Sequence, residues 1–222
     1  LRQANLKLLY LNSSSGGYHG HPIKQQRRLE IIEYARANQV YIIEDDHNGE
    51  LKFNTKPIDA MSKLDNDHII YIGSFSKLLL PSIRISYMAL PNQLVQLFYE
   101  KSRDYHQTAS KLEQLALAMY VEDGQLARHL KRLRKHYRNK STHLLQKLRT
   151  TFPQHKFELY ETSLKITMAI KADLVDQYIA LAKQNDILVN KNSNNQITLS
   201  FSGILDQDID EAVDRLKEIW IN

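Results

Sequence analysis

The chain has 222 residues, 42% of them hydrophobic, which supports one large or two small packed domains and excludes a disordered segment. It has no cysteine, which excludes disulfides and thiolate metal sites and fits a reducing compartment, so a cytoplasmic protein is expected. The net charge of +5 is too mild to mark a nucleic-acid surface by itself, and no run reaches the ~18 apolar residues of a membrane span, so no membrane partner is expected.

In chain order, residues 6–11 (Leu-Lys-Leu-Leu-Tyr-Leu) read as a strand. Residues 22–38 read as a helix with Leu29, Ile32 and Ala35 on one side. A second apolar strand covers 40–43 and ends in Glu44-Asp45-Asp46, followed by a looser stretch over 47–67 that holds Pro57. Strands at 69–72 and 85–90 come next. Near-continuous apolar strands with helical crossovers indicate a parallel or mixed sheet covered on both faces. Pro91 stops the last of them, and 94–121 read as one helix. Gly124 breaks that helix, and a long one runs from about 125 to 149, with Leu126, Leu130, Leu133, Tyr137, Leu144 and Leu148 along one stripe. After Pro153 the texture changes. A strand (165–170), a helix (174–184), strands at 187–189 and 196–201 joined by the turn Asn192-Ser193-Asn194-Asn195, and a helix (206–219) suggest a small α+β domain.

Two strand ends carry chemistry. Gly73-Ser74-Phe75-Ser76-Lys77 follows the apolar run 69–72 directly, and a lysine just past a buried strand is placed to form a Schiff base with an aldehyde. Asp45 ends the strand before it. In parallel α/β sheets, ligands bind beyond the carboxyl ends of the strands, and pyridoxal phosphate needs both a lysine for its aldehyde and an acid for its ring nitrogen. Plainer readings stand beside this one. Ser-x-Ser-Lys is common surface sequence, Asp46 suits the start of a turn, and His47 suits an ordinary hydrogen-bonded histidine. Asp45-Asp46-His47 hints at a metal, but neighbours on an extended chain point in alternate directions and no partner cluster is evident, so no metal site is expected. The run Arg128–Lys140 carries seven Lys or Arg and no acid; it reads as a solvated helix face, or as a surface lying near a DNA-binding domain or DNA phosphates.

With these strand ends placed, the chain resembles fold-type I pyridoxal-phosphate proteins. More narrowly, it resembles the aminotransferase-like domain of MocR-type regulators of the GntR class. The matching text is Ile42-Ile43-Glu44-Asp45-Asp46-His47-Asn48-Gly49-Glu50, then Gly73-Ser74-Phe75-Ser76-Lys77-Leu78-Leu79-Leu80-Pro81-Ser82-Ile83-Arg84-Ile85-Ser86-Tyr87, then Arg128-His129-Leu130 through Tyr137-Arg138. The resemblance implies part of a transferase-like large domain over 1–124, a connecting helix over 125–152 and a small α+β domain over 153–222. It implies Lys77 as the Schiff-base lysine and Asp45 as partner of the pyridine nitrogen, with Ser74, Ser76 and Arg84 near the phosphate. His47 stands where the family has a tyrosine that hydrogen-bonds the cofactor's ring oxygen. Thr198 stands where amino-acid-handling relatives carry an arginine for the substrate carboxylate, and threonine cannot make that bidentate pair. The stretch 12–20 replaces a Pro-His-Gln-rich loop, and Ser163-Leu164-Lys165 replaces Gly-Leu-His.

These departures erode the grip on substrate more than the grip on cofactor. The expectation is therefore the effector-sensing, dimerising part of a bacterial transcriptional regulator rather than an enzyme. It would act as a homodimer, take a small-molecule effector, and reach DNA through a winged-helix domain before Leu1, since the chain reads as the back part of a longer protein. Its rivals are a true aminotransferase and a cofactor-free dimerisation module. Pyridoxal phosphate is a possible cofactor of the full-length protein. Poor or no binding is expected in residues 1–222 alone, because the family's ring-stacking aromatic and part of its phosphate cup precede Leu1.

Overall fold

The structure, a computed structural model, describes residues 6–14, 22–46, 49–54, 59–76 and 78–221. The chain divides into two compact units between Lys131 and Arg132. The first is built on β1 (Leu8–Leu11), α1 (Gln25–Asn38), β2 (Tyr41–Asp45), β3 (Ile69–Ser74) and β4 (Ser86–Ala89). The sheet order is β1-β2-β3-β4; the first three strands run parallel and β4 runs antiparallel to β3. This is the mixed sheet that the apolar runs predict.

Residues 22–38 do form a helix, but its inner stripe differs from the predicted one. Arg28, Ile31, Ile32 and Ala35 are buried, and Leu29 is exposed. The inner face therefore starts at an arginine, whose guanidinium finds enough carbonyl oxygens to go under (below). Ile31, Ile32 and Ala35 pack with Val40, Ile42, Met61 and Ile69 into one apolar cluster. Each large aliphatic side chain among them contributes about 1.5–3 kcal/mol when fully buried.

The expectation that both sheet faces are covered is not met among the described residues. The side that carries Ile42 and Ile69 is buried, while Leu8, Tyr10 and Met88 on the other side are 51%, 60% and 43% exposed. The reason is topological. The order β1-β2-β3 steps the same way twice, and right-handed crossovers then lay both connections on one face. The second connection is anchored by Asp65, a nearly buried carboxylate that accepts from Arg36 Nε at 2.7 Å and from the Asp67 and His68 amides. Burial works to raise its pKa, but these donors prevail and hold it below the ordinary value.

The single helix expected over 94–121 is two, α2 (Asn92–Ser102) and α3 (Lys111–Glu122). The hydroxyl of Ser110 caps α3 by accepting the Glu113 amide at 3.5 Å. Among the described residues, no helix is long and apolar enough to cross a membrane.

The second unit takes in most of α4 (Gln125–Thr151), then β5 (Lys156–Tyr160), β6 (Lys165–Ala169), α5 (Val175–Gln184), β7 (Asn190–Lys191), β8 (Ile197–Ser200) and α6 (Ile209–Ile221). Its sheet, ordered β5-β6-β8-β7, is antiparallel throughout. The predicted hairpin turn at 192–195 is present, closed by the Asn192 amide on the Gln196 carbonyl at 3.0 Å. The strand predicted at 187–189 instead lies at Asn190–Lys191, and β5 precedes the first strand predicted for this unit. Trp220 stacks on Tyr178, with ring centroids 5.3 Å apart, and donates its indole N–H to the Tyr178 carbonyl at 3.0 Å.

Candidate functional site

Strand alternation gives the three acids after Ile43 three different tasks. Glu44 points to the covered face and is fully buried. It accepts the Ser13 hydroxyl at 2.5 Å, the Met61 amide at 2.9 Å and the Ser62 amide at 3.0 Å. Arg28, also buried, donates to the carbonyls of Ile23, Asp59 and Ser13 at 2.8–2.9 Å. Burial lowers the pKa of the Arg28 guanidinium, and the charges of Glu44 and Asp46 oppose that. Glu44 and Arg28 thus tie the exits of β1 and β2 to the 59–62 turn, which makes them structural. Asp46 accepts the Gly49 amide at 2.9 Å and the Tyr71 hydroxyl at 3.3 Å, so it starts a turn as its sequence context suggests. Burial, and then the Asp46 charge, push the Tyr71 phenol far above its usual range.

Asp45 points the other way, to the exposed face, at the carboxyl end of β2. Tyr10 reaches it from β1 and donates its phenol O–H to Asp45 Oδ2. Across the next pair, Asp45 lies in register with Ile72, two residues before Ser74. Ser74 ends β3 and its hydroxyl accepts the Ser76 amide at 3.3 Å. The Phe75 amide donates to the Ile85 carbonyl at 3.0 Å, one bond past the Ser74–Ser86 pair, before the chain turns at Ser76. Arg84 is exposed and left-handed (φ 45°) after the turn Pro81–Ile83, a conformation uncommon for a non-glycine residue. Of the six predicted cofactor residues, Asp45 and Ser74 thus close adjacent strands of one sheet, with Ser76 two residues past β3 and Arg84 two residues before β4. The other two, Lys77 and His47, lie outside the described residues. The glycine opening this motif has a packing reason. Tyr87 lies across Gly73 where any Cβ would meet its ring, and Tyr71 and Phe75 flank that ring at 6.0 and 5.3 Å.

Thr198 sits in the centre of the second unit's sheet, between Thr167 and Asn190 in register. It is 5% exposed, and its hydroxyl has no hydrogen-bond partner among the described residues. A buried, unsatisfied hydroxyl is unfavourable, so the isosteric Thr198→Val should stabilise the protein by about 1 kcal/mol, raising the thermal midpoint by a few degrees. A lower midpoint in a thermal melt would mean that the hydroxyl is bonded in solution.

Most of the basic run on α4 is solvent-facing, as expected, but Lys140 is not. It is buried, donates to the Ile204 carbonyl and pairs with Asp206 at 3.4 Å. Further along α4, His143 lies against Asp210 at 3.0 Å and Lys147 meets Asp214 at 2.7 Å, so Lys140 and Lys147 are both matched by acids within the unit.

Sequence reasoning missed Tyr10 as a neighbour of Asp45. The signal was present: Tyr10 alternates with Leu9 and Leu11, and parallel pairing of adjacent strands puts it on the face of residues 43 and 45.

Comparison with known proteins places this edge in context. The family described as aminotransferase class I and II matches residues 23–216. Among curated proteins, the HTH-type transcriptional regulator YdeL of Bacillus subtilis (strain 168) is 31% identical, over 99% of this chain and 50% of its own length. The probable rhizopine catabolism regulatory protein MocR of Rhizobium meliloti is 33% identical over 59% of this chain and 27% of its own. The chain therefore spans about half the length of the YdeL relative. Among solved structures, LysN, an α-aminoadipate aminotransferase from Thermus thermophilus complexed with N-(5'-phosphopyridoxyl)-L-leucine, superposes with a TM-score of 0.79 at 21% identity, covering 96% of this chain and 58% of LysN. That likeness is one of fold.

Proposed function

The chain belongs to the aminotransferase class I and II family, and from that premise we propose that it is the effector-sensing and dimerising part of a bacterial transcriptional regulator. In this reading the fold is a ligand-responsive scaffold. Residues 1–124 form part of the large domain, 125–152 the connecting helix and 153–222 the small domain. Similarity to an HTH-type regulator along 99% of the chain supports it. The observation that carries it against an amino-acid-processing enzyme is Thr198, a buried neutral hydroxyl where a carboxylate-binding arginine would be required.

The donor set at the sheet edge fits pyridoxal phosphate. A carboxylate (Asp45) suits a protonated ring nitrogen, and two hydroxyls (Ser74, Ser76) with a guanidinium (Arg84) suit a phosphate. Lys77 would hold the aldehyde and His47 would donate to the ring oxygen. When bound, the cofactor supplies an electrophilic aldehyde on an electron-drawing ring. The chain's own residues hold and orient it. Asp45 keeps a proton at the ring nitrogen, and Ser74, Ser76 and Arg84 fix the opposite end.

For the ligand to act as a signal it must bind two arrangements of a homodimer with different affinity, and the DNA-binding domains must read the difference. The test uses the intact protein and the DNA sequence it selects from a random pool. Adding pyridoxal phosphate should change DNA affinity at least about fivefold, and a panel of amino acids should yield no sustained keto-acid formation. Sustained turnover, or DNA affinity indifferent to the cofactor, would overturn this reading.

A further inference from the structure

The Asp45 carboxylate has a neighbour that neither the sequence resemblance nor the comparisons assign. We propose that Tyr10 is a positioning residue for Asp45: its phenol fixes the carboxylate in the orientation that receives a pyridine-ring N–H. This rests on the reading of the sheet edge as a pyridoxal-phosphate site.

Three observations carry it. First, the geometry is specific. Tyr10 is in register with Ile43, two residues short of Asp45, so the side chains of 10 and 45 leave the sheet on the same face, and the hydroxyl spans the diagonal to Asp45 Oδ2. Second, among the described residues no packing accounts for a tyrosine here. The side chain is 60% exposed on the open face, whereas its neighbours Leu9 and Leu11 pack against the apolar cluster. An exposed phenol aimed at a carboxylate is placed for its hydrogen bond rather than for its ring. Third, the bond is directional in charge. The hydrogen bond to Asp45, followed by burial and the Asp45 charge, holds the Tyr10 phenol above its ordinary pKa, so it is a donor at neutral pH.

The consequence for binding follows from rotamer freedom. An aspartate side chain has more than one accessible carboxylate orientation. A donor built on the adjacent strand selects one of them before the ligand arrives, so less ordering is needed on binding.

The test is a double-mutant cycle on the intact protein, titrated with pyridoxal phosphate and read by the cofactor's visible absorbance. Tyr10→Phe keeps the ring and removes only the hydroxyl. It should weaken cofactor binding about tenfold, leave the thermal midpoint unchanged, and shift the pH at which the bound cofactor's absorbance band changes. In an Asp45→Asn background the same substitution should have no further effect on affinity, because Tyr10 acts through the carboxylate. Equal affinity for Tyr10→Phe and wild type, tighter binding by Tyr10→Phe, or a full tenfold loss persisting in the Asp45→Asn background would each overturn the proposal while leaving the cofactor site standing. No absorbance change with wild-type protein would bring down the cofactor site and this inference with it.

Discussion

Replacing Glu44 by alanine is expected to destabilise the first unit by about 3–5 kcal/mol, the range for removing one member of a buried charged network. The side chain is fully buried and receives one hydroxyl and two backbone amides. Alanine leaves those donors facing an apolar cavity, and it leaves the buried Arg28 guanidinium without the carboxylate charge that offsets its desolvation. Stability of this kind commonly totals only about 5–15 kcal/mol, so the variant should be largely unfolded at modest urea concentrations. Glu44→Gln, which retains one acceptor oxygen and the volume, should lose clearly less. Urea titrations followed by circular dichroism give both values. An unchanged midpoint for Glu44→Ala would mean that water replaces the carboxylate without cost.

Asp45→Ala, one residue away, is expected to do the reverse. Its carboxylate faces the exposed side of the sheet, so the unfolding midpoint should move little, while affinity for pyridoxal phosphate in the intact protein should fall about 10- to 100-fold, the worth of one charge-assisted bond to the ring nitrogen. Cofactor absorbance titrations and thermal melts on the same two variants separate the outcomes. Adjacent acids with opposite consequences follow from a period of two along a strand. Loss of cofactor binding in Glu44→Gln, at a temperature where it is folded, together with normal binding in Asp45→Ala, would reverse the assignment of roles.

The apolar runs made the first unit's strands legible, although among the described residues only one face of the sheet is buried. The candidate site was proposed on the same runs: Asp45 and Ser74 are where they stop. Less visible was what depends on a partner distant in sequence. Arg28 reads as one of a pair of surface arginines, and only the convergence of the Ile23, Asp59 and Ser13 carbonyls allows it to be buried in place of Leu29. The break between α2 and α3 could have been found. Ser110-Lys111-Leu112-Glu113 has the Ser-x-x-Glu pattern of a helix start, but with no glycine or proline nearby the apolar periodicity hid it. Likewise Lys156-Phe157-Glu158-Leu159-Tyr160 alternates as a half-buried strand should, and β5 is that strand. Thr198 was recognisable as a departure from arginine, but its unsatisfied hydroxyl required the sheet around it.

One property of β4 bears on how this protein behaves at high concentration. Among the described residues it is the last strand of its sheet, and all four of its residues are exposed. A rim of that kind invites a neighbouring molecule to add a strand of its own, the first step toward fibrillar deposits. Here the invitation is short. A left-handed arginine stands two residues before the strand, and Pro91, which has no amide hydrogen to offer, follows two residues after it. A rim of four residues bounded in this way is a poor template for strand addition.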